Sequence, residues 1–146
     1  MTYDGVGYTC KIEGNMDAAL YTNILEDELQ QSIEYFEMDR TKVIFQQDND
    51  RKHTSKKVSE WFKNHSIQLL DWRAQSPDLN PIEHLWRYLK QKLNEYEEPP
   101  KGMQELWERV EQQWEAIPQD ICIRLIESIT RRIAAVLKAK GKYIKY

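Results

Sequence analysis

Two strings set the reading of this chain: KVIFQQDNDRKHT at residues 42–54 and DWRAQSPDLNPIEHLW at residues 71–86. Val43, Ile44 and Phe45 make a short continuous apolar run, the pattern of a strand covered on both faces. Asp48 follows where that strand ends, and Glu83 stands where Asn80-Pro81-Ile82-Glu83 opens a helix, with Asn80 at the N-cap and Pro81 at the first helical position. Exactly how the pair is joined matters: 34 residues intervene between Asp48 and Glu83. They hold a helix with Val58, Trp61 and Phe62 on one stripe, capped by Thr54 or Ser55, and then IQLL at 67–70. Strand, helix and strand in that order predict a parallel crossover. In open parallel sheets, ligands collect at the C-terminal ends of strands, where Asp48 is expected.

Upstream, Val6, Tyr8, Cys10 and Ile12 alternate with polar or small residues, which predicts a half-buried strand over about 6–12. Asp17 then caps a helix over about 17–36, with Leu20, Tyr21, Ile24, Leu25, Leu29 and Ile33 on one stripe. Downstream, helices are predicted over about 81–96, 102–116 and 120–139. The last would turn Leu125, Ile126, Ile129, Ile133, Val136 and Leu137 inward. With strands at 42–47 and 67–70 and a helix at 55–65, the expected class is α/β with a short sheet, and the 146 residues fit one domain.

Two cysteines, Cys10 and Cys122, without CxxC or CxxH spacing argue against a disulfide framework or a structural zinc site. No signal peptide and no membrane partner are expected. The net charge of −3 hides an asymmetry: residues 1–40 sum to −7 and residues 121–146 to +6. A basic end of this kind is either a solvated helix face or a nucleic-acid contact through Arg131, Arg132 and Lys138.

Hard divalent cations want oxygen ligands, and a pair of them can stabilise both the attacking and the leaving oxygen of an in-line displacement at phosphorus. Asp48 and Glu83 could meet at one rim of the sheet to hold such ions, with Arg51, Lys52 and His53 beside Asp48 able to touch phosphate oxygens. Plain structural roles stay open. Asp48 could cap a turn with Asn49 and Asp50, and Glu83 could reach back to the Asn80 backbone.

QDNDRKHTSKKVSEWF and LDWRAQSPDLNPIEHLW closely resemble the second and third catalytic blocks of the Tc-one/mariner DNA transposases, including the spacing of 34 residues between the two acids. GVGYTCKIEGNMDAALYTNIL and RRIAAVLKAKGKYIKY are similar to the same branch, so the likeness covers nearly the whole chain. The resemblance implies a truncated RNase H-like domain with an Asp-Asp-Glu triad and two Mg²⁺ or Mn²⁺ ions. It implies excision of transposon DNA, strand transfer into a TA target, and work in the nucleus. Asp48 and Glu83 take the second and third triad positions. No residue here matches the first Asp, which the family carries on a strand upstream of GVGY, and the helix-turn-helix DNA-binding part is likewise unmatched. Self-association, or pairing with the missing N-terminal part through uncovered strand edges, is therefore expected. Arg51 and Arg73 stand where the family usually has proline, and either could strengthen a phosphate contact. The alternative function is a catalytically inactive relic that binds nucleic acid or protein.

Overall fold

A computed structural model describes residues 1–72 and 79–140, which form two compact units. One runs from Gly7 to the loop after the sheet; the other joins residues 1–6 to the helices that follow residue 78.

The first unit begins with an irregular segment rather than the expected strand over 6–12. A strand exists only through its ladder, and among the described residues no β-ladder runs through residues 7–13. The Tyr8 N–H instead donates to Ser32 Oγ at 2.9 Å, while Tyr8 and Ile12 stay exposed. Gly7 is required there, since a Cβ at this position would lie 2.4 Å from Ser32 Oγ.

Asp17 caps the next helix, its Oδ1 accepting the Leu20 N–H at 2.8 Å. The helix comes in three pieces: α1 (Ala18–Ile24), a π turn (Leu25–Leu29) and α2 (Gln30–Tyr35). Tyr21, Leu25, Gln30 and Ile33 are the buried positions. The step from Leu25 to Gln30 is one residue longer than an α-helical turn, and the π turn absorbs it. Gln30 thereby takes an inward slot that hydrophobicity alone would give to Leu29, which is only half-buried.

β1 (Ile44–Phe45) and β2 (Gln68–Leu69) pair in parallel, with Ile44 opposite Gln68 and Phe45 opposite Leu69. The crossover is α3 (Lys56–Asn64), capped by Ser55. Val58, Trp61 and Phe62 on α3 close over Tyr21, Leu25, Ile33 and Ile67, with Val43 and Phe45 packed against them. Burial of this apolar surface is the main stabilising term of the unit. The sheet is covered on one face only, because Val43 and Phe45 turn inward while Ile44 is 58 % exposed. The expectation of a strand buried on both faces is therefore corrected.

In the second unit, α4 (Pro81–Leu93), α5 (Met103–Glu115) and α6 (Gln119–Lys138) enclose Leu85, Leu89, Trp114, Ile117 and Cys122, with Met1 and Val6 against them. Asn80 caps α4 through Oδ1 and the Ile82 N–H, and Pro81 occupies the first helical position, where its missing N–H costs nothing. Glu105 reaches back from the first turn of α5 to the Lys101 N–H at 2.7 Å and pairs with Arg109, whose guanidinium also lies 4.4 Å over the Tyr96 ring centre. Trp86 stacks on Trp114 with centroids 5.1 Å apart. Along α6 the inward line runs through Cys122, Leu125, Ile129 and Arg132, so Ile133 and Leu137 face outward, against expectation. Neighbouring helical positions lie about 100° apart, and the burial of Arg132 turns Ile133 toward solvent.

Candidate metal and nucleic-acid site

Asp48 stands three residues beyond Phe45, past the C-terminal end of β1, as the sequence predicts. Its Oδ1 is engaged twice: by His53 Nδ1 at 2.5 Å and by the Asp50 N–H at 3.1 Å. An ionised carboxylate has only acceptors, so the bond to Asp48 suits the His53 tautomer with its proton on Nδ1. Oδ2 receives no hydrogen bond from a described residue, and the side chain is 62 % exposed. One oxygen is held and the other is presented to solvent.

The loop after Asp48 is a turn built by Asp50. Its carbonyl accepts from the His53 and Thr54 N–H groups, and its carboxylate accepts the Lys52 N–H at 3.0 Å and the Lys52 ammonium at 2.7 Å. Hydrogen bonding from Lys52 holds the Asp50 carboxyl below the usual carboxylate range. Lys52 is thus committed to Asp50, whereas Arg51 is exposed. Asn49 Nδ2 donates to the Trp72 carbonyl at 2.8 Å and ties this loop to the segment that leaves β2.

Behind Asp48 the His53 ring lies tilted against Tyr21, centroids 4.2 Å apart. The Tyr21 hydroxyl donates to Gln47 Oε1 at 2.8 Å, and Gln47 Nε2 donates to the His53 carbonyl at 3.0 Å. Burial, and then the charge of Asp48, push the Tyr21 phenol up, so it remains a donor across the physiological range.

Glu83 belongs to the second unit. It is exposed in the first turn of α4, next to the positive end of the helix dipole, and its N–H bonds the Asn80 carbonyl at 3.3 Å. Arg87 and Lys90 share its exposed face at helical spacing. Sequence reasoning passed over these two cations; the signal that finds them is their spacing of four and seven residues from an acid already singled out. Arg131 and Lys138 are exposed on α6. Arg132 is not: it is 1 % exposed, and its Nη2 donates to the Leu125 carbonyl at 2.9 Å. That removes it from the expected nucleic-acid face, because a guanidinium committed to the interior cannot also reach a phosphate. Arg73 lies outside the described residues.

The donors suit a hard divalent cation. Both acids offer carboxylate oxygens, the ligands such cations prefer. Among the described residues, no three His, Cys, Asp or Glu side chains group closely enough to hold an ion by themselves. Each acid, taken within its own unit, would therefore share an ion with water, phosphate or further ligands.

Residues 1–106 match the family model described as DDE superfamily endonuclease. The chain belongs to that family. Its relatives include the Tc1 transposase of Caenorhabditis elegans, 39% identical over 99% of this chain and 52% of its own length. Another is the Tcb2 transposase of Caenorhabditis briggsae, 37% identical over 93% of this chain and 48% of its own length. The chain spans about half the length of these curated relatives. Among solved structures, the Mos1 transposase catalytic domain with Raltegravir and Mg matches at a TM-score of 0.85 and 24% identity, over 98% of this chain and 73% of that one. A Mos1 paired-end complex with the left transposon end matches at 0.86 and 23%, over 98% and 42%. The fold is thus that of the Mos1 catalytic domain, α/β and RNase H-like, with mostly helical content and a short two-stranded sheet among the described residues.

Proposed function

We propose that this chain is part of a Tc1-type transposase and contributes Asp48 and Glu83 to a divalent-metal site that cuts DNA and joins it to a target. The arrangement of Asp48 carries the reading. It sits just past the C-terminal end of a parallel strand, with one carboxylate oxygen fixed and the other open, in the string that resembles the second catalytic block of the Tc-one/mariner transposases. Support comes also from Mos1, whose catalytic domain has been solved with Mg and with Mn, and whose paired-end complexes hold transposon ends.

The chemistry has two displacements. Water attacks phosphorus, the P–O3′ bond breaks, and the departing 3′ oxygen takes up a proton. The freed 3′-hydroxyl then attacks a phosphodiester at a TA step in the target, loses its proton to solvent, and a target P–O3′ bond breaks. Mg²⁺ or Mn²⁺, when bound, supplies charge stabilisation at the phosphorus centre and acidifies the attacking water. Asp48 and Glu83 would each offer carboxylate oxygens to that cation. The N-terminus of α4, with Arg87 and Lys90 beyond Glu83, binds the phosphate backbone, and exposed Arg51 adds a contact beside Asp48. Such work on host DNA takes place in the nucleus.

Two carboxylates do not complete a two-metal site, so the 146-residue chain alone is expected to leave plasmid DNA intact with Mg²⁺ or Mn²⁺. The reading is tested in a chimera in which this chain replaces the matched half of the Caenorhabditis elegans Tc1 transposase. Excision from a donor plasmid should occur and should be abolished by Asp48→Asn or Glu83→Gln. A folded chimera whose excision survives both substitutions would refute the role given to the two acids.

A second reading, binding without cleavage, is favoured by the exposed apolar side chains of Ile133 and Leu137 beside exposed Arg131 and Lys138 on α6. Light scattering that shows self-association lost on Leu137→Glu would support it.

A further inference from the structure

We infer that His53 is a positioning residue, fixing the Asp48 carboxylate so that Oδ2 is the oxygen offered to the divalent cation; this rests on the metal-site reading above. Three observations carry it.

The first is the bond itself. His53 Nδ1 lies 2.5 Å from Asp48 Oδ1, short for a nitrogen–oxygen pair, and the Asp50 N–H approaches the same oxygen. Both donors choose Oδ1, which removes that oxygen from competition and leaves the carboxylate with one free edge. A carboxylate held this way meets a cation through one oxygen in one direction, and loses less side-chain freedom when the cation binds.

The second is the environment of the ring. The His53 side chain is only 15 % exposed, and its Nε2 is buried with no hydrogen-bond partner among the described residues. The ring's polar contact among them is the one to Asp48. A histidine that served only the turn would gain from a partner on both nitrogens.

The third is the support behind the ring. Tyr21 packs against it from α1, and Gln47 joins the Tyr21 hydroxyl to the His53 carbonyl. Ring and backbone of His53 are therefore both fixed, from a helix on one side and from the segment that follows β1 on the other. The turn formed by Asp50 needs only the His53 N–H, which any residue but proline provides. The imidazole is thus spare for folding of the turn and specific for Asp48.

The test uses Mn²⁺ alone and the 146-residue chain, with free Mn²⁺ read by electron paramagnetic resonance. His53→Ala should weaken Mn²⁺ binding roughly 10–100-fold, the range typical of residues that orient a metal ligand. His53→Asn should recover most of the affinity, since its amide N–H sits at the distance of Nδ1 from the backbone. His53→Gln, whose N–H sits where Nε2 would be, should resemble alanine. A purely structural role predicts instead that affinity follows melting temperature and ignores the Asn/Gln distinction. Asp48→Asn separates the two levels of the argument. Mn²⁺ binding indifferent to Asp48→Asn overturns the metal reading and this inference with it. Binding that needs Asp48 but ignores His53→Ala overturns the positioning role alone. Where His53→Ala does not fold, the ¹⁵N spectrum of the unsubstituted chain decides. A protonated His53 Nδ1 that shifts in Asp48→Asn supports the inference, and a ring protonated only at Nε2 overturns it.

Discussion

The hydroxyl of Tyr21 on α1 donates to the side-chain oxygen of Gln47 at 2.8 Å, across the floor of the loop that holds Asp48. This bond joins the helix to the strand end at a half-buried place, so its loss is felt as an acceptor left without a donor. Tyr21→Phe keeps the ring against His53 and removes only the bond. It should cost about 1 kcal/mol in chemical denaturation, with little change in the slope of the transition.

Gly7 offers a sharper case. An added Cβ would meet Ser32 Oγ at 2.4 Å and Ser32 Cβ at 2.8 Å. Gly7→Ala should destabilise by about 1–3 kcal/mol through overpacking. Ser32→Ala in the same chain should recover only part, because the Cβ contact persists and the Tyr8 N–H loses its acceptor. Urea melts of the two single variants and the double variant read the coupling directly.

The three cations proposed from the basic end should separate. Arg131→Ala with Lys138→Ala should weaken DNA retention on a column and flatten its salt dependence, since both side chains are exposed. Arg132→Ala should leave that slope alone and lower stability by about 1–3 kcal/mol, by removing a buried donor to the Leu125 carbonyl. Equal effects of all three on the salt slope would contradict this division.

Acid should loosen the chain in a defined direction. Asp50 and Glu105 have carboxyl groups held below their ordinary values, Asp50 by hydrogen bonds from Lys52 and Glu105 by those from Lys101 and then Arg109. A folded value below the unfolded one means that the unfolded chain binds more protons. Their contribution is therefore present above the unfolded value and is lost as pH falls through the folded one. Glu28 works the other way: burial, then the Asp27 charge, raise its carboxyl, so protonation relieves a cost of folding. Melting temperature measured from pH 6 to pH 3 should fall, and Asp50→Asn should make the fall shallower.

Local signals are legible at three helix starts. Asp17, Ser55 and the Asn80-Pro81 pair cap the helices the sequence assigns to them. Pairing was less so. The alternation at 6–12 has the right period, yet whether a strand forms depends on a partner backbone that the segment itself cannot encode. The inward line of α6 was misread because a guanidinium counts as a surface group until its carbonyl partner is seen. Motif and spacing single out Asp48 and Glu83 as candidates. The bond between Asp48 and His53 was not legible, although five residues separate them in sequence, because it needs the turn that Asp50 builds.

The π turn at Leu25–Leu29 leaves the helix with one residue to spare. Excising Asp27, which is exposed, would let the turn relax to regular α geometry while Tyr21 and Leu25 on one side and Ile33 on the other keep their facing. The same excision at Thr22, within α1, would swing Ala18 to Tyr21 by about 100° relative to Leu25 and pull Tyr21 off the His53 ring. The helix thus forgives a lost codon at one place and punishes it a turn away, a difference that paired thermal melts of the two deletions would display.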